Sequence, residues 1–126
     1  MIEGISKENY TIAKKMLDVA VLRHEALASN IANAQTPGYK RNDISVDFES
    51  KLSASIKNSD MNALSELKPT IQKDANTPSI RPDGNNVGVD RELVEITKNS
   101  VQIDFINNYL SDSIRRIKSA ITCKNM

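Results

Sequence analysis

Cysteine is nearly missing from this 126-residue chain: Cys123 stands alone. A lone thiol excludes an internal disulfide and any multi-cysteine metal site. There is one histidine, His24, no tryptophan, and only 4% aromatics, so a core packed on large rings is not available. The four glycines, Gly4, Gly38, Gly84 and Gly88, are scattered and make no phosphate-cradling loop. No apolar run approaches the roughly 20 residues that a membrane-spanning helix needs. Met1 to Lys15 lacks the basic start and apolar block of a secretory leader. Neither sign of charge predominates: 17 basic and 16 acidic residues leave a net charge of +1. A dedicated nucleic-acid binder would carry a strong basic excess. The length suits a single domain with little room for a second core.

What the sequence does contain is helical periodicity at both ends. Ser6 is a suitable N-cap, with Ile5 and Tyr10 at the spacing of a hydrophobic staple. Ala13, Leu17, Ala20, His24, Leu27, Ile31 and Ala34 then recur at alternating four and three residues, which predicts one face of a helix. A weaker stripe, Ile12, Met16, Val19 and Ala26, runs beside it. Thr36-Pro37-Gly38-Tyr39 ends the helix, with Gly38 supplying the positive φ of a type II turn. Near the other terminus Val89, Leu93, Ile96, Ser100, Ile103, Asn107, Leu110, Ile114, Ile117 and Ile121 keep four-three spacing throughout. That regularity predicts a coiled-coil-forming helix, capped by Asp90 with Val89 and Val94 as staple, with Arg115, Arg116, Lys118 and Lys124 toward its end. Val101, Phe105 and Tyr109 lie off this seam.

The middle is different. Ile44, Val46 and Phe48 alternate, which predicts a short strand over Asn42 to Phe48. Lys51 to Leu67 is weakly helical in pattern, and Lys68 to Ser79 reads as a loop or edge. Arg81-Pro82-Asp83-Gly84 is a tight turn, with Gly84 at a left-handed position. The expected fold is therefore mainly α. An N-terminal coiled-coil helix (1–36) and a C-terminal one (89–126) pair as an antiparallel hairpin and form one axial domain. Between them lies an irregular segment (37–88) containing a short β element. Two helices bury only one stripe each, so Ile12, Val19, Ala26, Val101, Phe105 and Tyr109 are left over. Neighbouring subunits would complete the core; the alternative is that the middle segment folds back over these stripes.

Catalytic chemistry finds little support. His24 and Cys123 form the one conceivable nucleophile pair, but His24 sits within a heptad seam and Cys123 at a fraying terminus. Asp47 and Glu49 would share a face only in a strand, where a solvated edge is the simpler reading. Lys14-Lys15, Lys40-Arg41 and Arg115-Arg116 have acids nearby and read as solvated charge. No metal-ligand spacing and no cofactor motif is present. A soluble coiled-coil adapter or export chaperone would use the same seams.

Two blocks carry a resemblance. Leu27-Ala28-Ser29-Asn30-Ile31-Ala32-Asn33-Ala34, followed by Thr36-Pro37-Gly38-Tyr39-Lys40, resembles the N-terminal motif of the bacterial flagellar rod and hook family of axial proteins. Arg81-Pro82-Asp83-Gly84-Asn85-Asn86-Val87, followed by Asp90-Arg91-Glu92-Leu93, resembles the proximal rod branch of that family. The resemblance implies a structural subunit without cofactor. Family members pair their terminal helices near the axis of a tube and leave the cell by the flagellar type III apparatus without a cleaved signal peptide. It also implies self-association, and contact with the adapter FliE, the MS-ring and export-gate side, and the rod proteins FlgC and FlgF, in a basal body rod that crosses the periplasm or cell wall. Asn30 and Asn33 would bond helix ends or neighbouring subunits. Pro37, Gly38 and Tyr39 would shape one turn, and Pro82, Asp83, Gly84, Asn85 and Asn86 the other. Subunit contacts are expected from Ile12, Val19, Leu27, Asn30, Ile31 and Asn33 on the first helix. On the last they are expected from Leu93, Ile96, Val101, Ile103, Phe105, Tyr109, Leu110, Ile114 and Ile117. Monomers with such unmatched stripes would order as they assemble.

Overall fold

Small side chains and polar ones set how the two long helices meet in the computed structural model, which describes residues 7–79 and 81–123. The elements in chain order are α1 (Lys7–Ala32), β1 (Asn42–Ile44), α2 (Val46–Lys57), α3 (Met61–Glu66), β2 (Ile71–Lys73) and α4 (Val89–Cys123). The staple and cap expected at Ile5 and Ser6, and the basic residue Lys124, lie outside the described residues. α1 and α4 run antiparallel as an extended hairpin, as expected. Asn99 of α4 donates to the Ala20 carbonyl of α1, and earlier in α4 Glu92 meets Asn30, later in α1. α1 has 26 residues, about 39 Å, and α4 has 35, about 52 Å. α4 therefore runs well past the described start of its partner.

The buried residues of α4 are Glu92, Asn99, Ile106 and Ser113, each seven apart. Opposite them α1 buries Ala13, Ala20, Ala26, Leu27 and Asn30. Alanines let the helix axes approach, so that Asn99 reaches a main-chain carbonyl at 2.7 Å and pins the register. The helix contact is thus rotated from the apolar seam expected on α4. Ile96, Ile103 and Leu110 border the contact and are half-buried, whereas Leu93, Ile114 and Ile121 are exposed. Asn99 is a register-setting polar residue of this contact.

The middle segment folds back onto α1, which answers the question of the leftover stripes in two halves. β1, β2 and α3 all pack against α1, and Ala26 is buried. On α4, by contrast, Val101 and Phe105 stay 65% and 71% exposed. β1 and β2 form a two-stranded antiparallel sheet with Ile44 opposite Ile71. The strand expected through Phe48 stops at Ile44, because Ser45 caps α2 by accepting from the Phe48 N–H, and Asp47 and Glu49 favour that helix N-terminus. Val46 is consequently exposed while Ile44 and Phe48 reach the core. Asp47 and Glu49 are thus first-turn helical residues, Asp47 pairing with Lys51, and not a strand pair. The helical stretch after Lys51 divides at Ser59, whose φ is +53°, and Asp60 caps α3 through the Ala63 N–H. Lys15 closes that helix by donating to the Leu67 carbonyl.

Both predicted turns form. Tyr39 N–H bonds the Thr36 carbonyl across Gly38 (φ +70°), and Gly84 N–H (φ +85°) bonds the Arg81 carbonyl. α1 itself ends at Ala32, a little before the Thr36-Pro37 boundary read from sequence. α4 begins two residues earlier than a cap at Asp90 allows: the Gly88 carbonyl accepts the Glu92 N–H, and Asp90 sits inside the first turn. No basic residue occupies the last turn of α4; Arg115, Arg116 and Lys118 lie farther back along it. The two turns abut, since a Cβ on Gly84 would lie 3.9 Å from the Gly38 Cα. That space is ordinary, so the need for glycine is conformational. Gly38→Ala and Gly84→Ala should each lower stability by about 1–2 kcal/mol, the cost of a left-handed L-residue, read as a shift in the urea midpoint with an unchanged slope.

Candidate functional site: a buried polar clamp between the two motif blocks

The two sequence blocks lie some fifty residues apart in the chain and meet in one buried network. Asn30, in the last turns of α1, is fully enclosed and uses both ends of its amide on the main chain of β1. Its Oδ1 accepts from the Asn42 N–H at 2.7 Å, and its Nδ2 donates to the Asn42 carbonyl at 2.8 Å. It thereby replaces the missing ladder partner on that edge of the strand. The same Nδ2 donates to Glu92 Oε2 at 3.0 Å, tying α1, β1 and the first turn of α4 together. Tyr39 completes this corner: its hydroxyl donates to Asn30 Oδ1 and accepts from Asn42 Nδ2.

Arg41 occupies the centre. It is 2% exposed, which corrects the solvated role read for Lys40-Arg41. Its guanidinium reaches three carboxylates: Nε to Glu92 at 2.8 Å, Nη1 to Asp74 at 2.6 Å and Nη2 to Asp43 at 3.1 Å. Burial disfavours the guanidinium charge, but the bonds to Glu92 and Asp74 outweigh it and hold the group above its ordinary pKa. Glu92 is itself fully buried, so its charge is tolerable only because Arg41 and Asn30 meet it. The Thr77 hydroxyl holds the Asp74 carboxyl well below the usual carboxylate range; burial opposes this and Arg41 reinforces it. Arg23 of α1 extends the cluster outward to Asp43 and Glu95.

The second block supplies the remaining partners. Asn85 Nδ2 donates to the carbonyls of Asn33, Ala34 and Thr36, which the end of α1 leaves without helical partners. Its Oδ1 accepts from the Val87 N–H. Asn86 Oδ1 accepts from the Arg41 N–H, and its Nδ2 donates to the carbonyls of Asp74 and Thr77. Arg81 also donates to the Ala34 carbonyl, Lys40 to that of Gly84, and Asn33 Nδ2 to that of Ser29. Pro37, Pro82 and Asp83 stay on the surface of the turns, and Asp83 accepts from the Asn85 N–H.

This arrangement holds backbone and charge; Glu92 is enclosed, and Asp43 and Asp74 are partly exposed but paired with the arginine. Among the described residues no group of three histidine, cysteine or acidic side chains is placed to hold a metal ion. His24, one residue from the Arg23–Glu95 pair, lies about 40 Å along α4 from Cys123, which removes that pair from catalytic reach. Of the residues expected at subunit contacts, Leu27 and Asn30 are enclosed within the chain. Ile12, Val19, Ile31, Asn33, Ile96, Ile103, Tyr109 and Leu110 are half-buried, and Leu93, Val101, Phe105, Ile114 and Ile117 are exposed. Sequence reasoning missed Arg41, Asp74, Glu92 and Asn99. The available signal for Glu92 and Asn99 was their spacing of seven, continued by Ile106 and Ser113.

Comparison with known proteins gives one consistent result. A family model described as "Flagella basal body rod protein" matches residues 22–40, the span from mid-α1 through the first turn. The chain is 31% identical to the flagellar basal body rod protein FlgB of Buchnera aphidicola, over 86% of this chain and 93% of that one. It is 30% identical to FlgB of Escherichia coli over 89% and 91% of the two chains. With FlgB of Aquifex aeolicus it shares 28% over 86% and 88%.

Removing the Arg41 charge strands Glu92 in the interior. Arg41→Met should therefore destabilise the chain by about 3–5 kcal/mol, measured by urea unfolding at neutral pH. Asp74, whose carboxyl is depressed in the folded state, contributes stability that is complete above about pH 4. That contribution is lost as the pH falls further toward the folded value. Asp74→Asn should accordingly be less stable than the native chain at pH 7, and the gap should narrow at pH 3; a gap independent of pH would contradict this assignment.

Proposed function

The chain belongs to the FlgB family of flagellar basal body rod proteins, and on that footing we propose how it builds the rod. It is a structural subunit of the flagellar basal body and associates there with other flagellar components; it is not an enzyme. Among the described residues no helix is long and apolar enough to cross a membrane. In the proposed assembly, copies of this chain and other rod subunits pack side by side through their long helices. The observation that carries the proposal is the outward face of α4, where Val94, Val101 and Phe105 are 52%, 65% and 71% exposed on a helix whose inner face is already paired. Apolar side chains in a row on a rigid element mark an interface. Ile12 and Tyr109 line a groove beside Phe105, and Leu93, Ile114 and Ile117 are exposed on other sides of α4.

The clamp residues act differently. Asn30, Asn33, Asn85 and Asn86, with the turns at Gly38 and Gly84, give each subunit one fixed hairpin to offer its neighbours. Neighbours in the proposed rod are the adapter FliE, the MS-ring and export-gate side, FlgC and FlgF. The rod thereby crosses the periplasm or cell wall. Export through the flagellar apparatus without a cleaved leader fits a hairpin whose free half is held by few internal contacts, since such a chain unfolds readily and gains order on packing.

Val101→Asp with Phe105→Asp should leave the purified chain as helical as the native one by circular dichroism. In cells it should abolish swimming and leave basal bodies without a complete rod, because each buried side chain of this size is worth about 1.5–3 kcal/mol. Normal swimming by this double variant would contradict the proposal.

A further inference from the structure

Beside the α1–α4 contact runs a groove of about 250 Å³ lined by Asn9, Ile12, Met16, Phe105, Ile106 and Tyr109. Its walls are almost wholly apolar side chain, and it lies toward the end of the hairpin away from the clamp. Beyond it, α4 continues past the described start of α1. There Ile114, Ile117 and Ile121, spaced three and four residues apart, are 56%, 41% and 62% exposed. A ridge of three isoleucines spans about 10 Å of helix, as does the stretch of α1 from Asn9 to Met16. Charge divides at the same place. Residues 99–113 carry Asp104 and Asp112 and no base, whereas residues 114–123 carry Arg115, Arg116 and Lys118 and no acid.

We propose that the C-terminal end of α4, residues 114–123, seats in the Ile12–Phe105 groove of a second copy of this chain. The two α4 helices then lie parallel with a stagger of about ten residues, or about 15 Å. This inference rests on the rod-subunit function above and names the contact that propagates it. The stagger places the isoleucine ridge against the apolar walls and sets the basic block of one copy beside the acidic block of the next. The donor surface and the acceptor surface are different parts of the chain, so the contact is head-to-tail. Such a contact does not close on itself unless the rotation makes a ring, and it leaves one free groove and one free end on every oligomer. A one-way, axially extending structure follows from that geometry.

The test uses two full-length variants in a Cys123→Ser background, Ile12→Cys and Ile117→Cys, carrying different tags and expressed together. Mild oxidation of isolated basal bodies should give a mixed disulfide joining the two tags. Homodimers of Ile117→Cys in place of the mixed species would overturn the proposal, because they require a two-fold contact. Swimming by cells carrying either variant alone reads the rod role separately. A missing mixed disulfide in swimming cells therefore sinks this docking while leaving rod membership intact. Should a cysteine at either position stop swimming by itself, charge reversal decides. Arg115→Glu with Arg116→Glu should lose swimming, and adding Asp104→Lys with Asp112→Lys should restore it; unaffected swimming, or no restoration, overturns the proposal.

Discussion

One buried guanidinium holds this fold together. Glu92 stands in the first turn of α4 with no exposure to water, and an isolated carboxylate there would be prohibitive. Arg41 neutralises it, and Asn30 donates to its other oxygen. Arg41 is in turn fixed by Asp74 and Asp43, and its own N–H is held by Asn86. Because these residues come from α1, both strand segments and α4, Arg41 and Glu92 gain their full set of partners only when all have arrived. The network is costly to assemble and specific once assembled, which suits a role in defining register more than in adding net stability.

That choice has a consequence for the hairpin. With Glu92, Asn99 and Ser113 on the inner face of α4, much of the apolar content of the helix points elsewhere. A free-standing protein would gain by exchanging those positions. In the proposed assembly the arrangement is productive: polar groups set the pairing within the chain, and apolar groups are left for the proposed contacts between chains. Order is graded along the molecule as a result. The clamp end is enclosed by the sheet and both turns, while the far half of α4 carries the exposed isoleucines Ile114, Ile117 and Ile121.

Much of the architecture was legible in the sequence, for identifiable reasons. Four-three spacing located both long helices, and Pro37-Gly38 and Pro82-Asp83-Gly84 located both turns, because each depends on local backbone chemistry. The alternation through Val46 misled, since Ser45 begins a helix and the capping bond outweighs the period-two pattern. The rotational phase of α4 was off because periodicity counts apolar residues and cannot tell which stripe a partner covers. Arg41 was legible only as one of two adjacent bases; its burial depends on Asp74 and Glu92, residues distant in sequence, and no local pattern carries that. Asn85 and Asn86 were recognisable as motif residues through family resemblance, yet their bonds to the end of α1 and to Asp74 belong to tertiary structure alone.

The most direct measurement is native-state hydrogen exchange on the dilute, purified monomer, resolved along the chain. The account predicts slow exchange at the amides of Arg41, Asn42 and Ser45 and through the first turns of α4. Protection should then fall steadily toward residues 114–123. Uniform protection along the whole of α4 would mean that the monomer already covers its free end. Rapid exchange at Arg41 and Asn42 would mean that the clamp does not organise the fold, and either result would contradict the account.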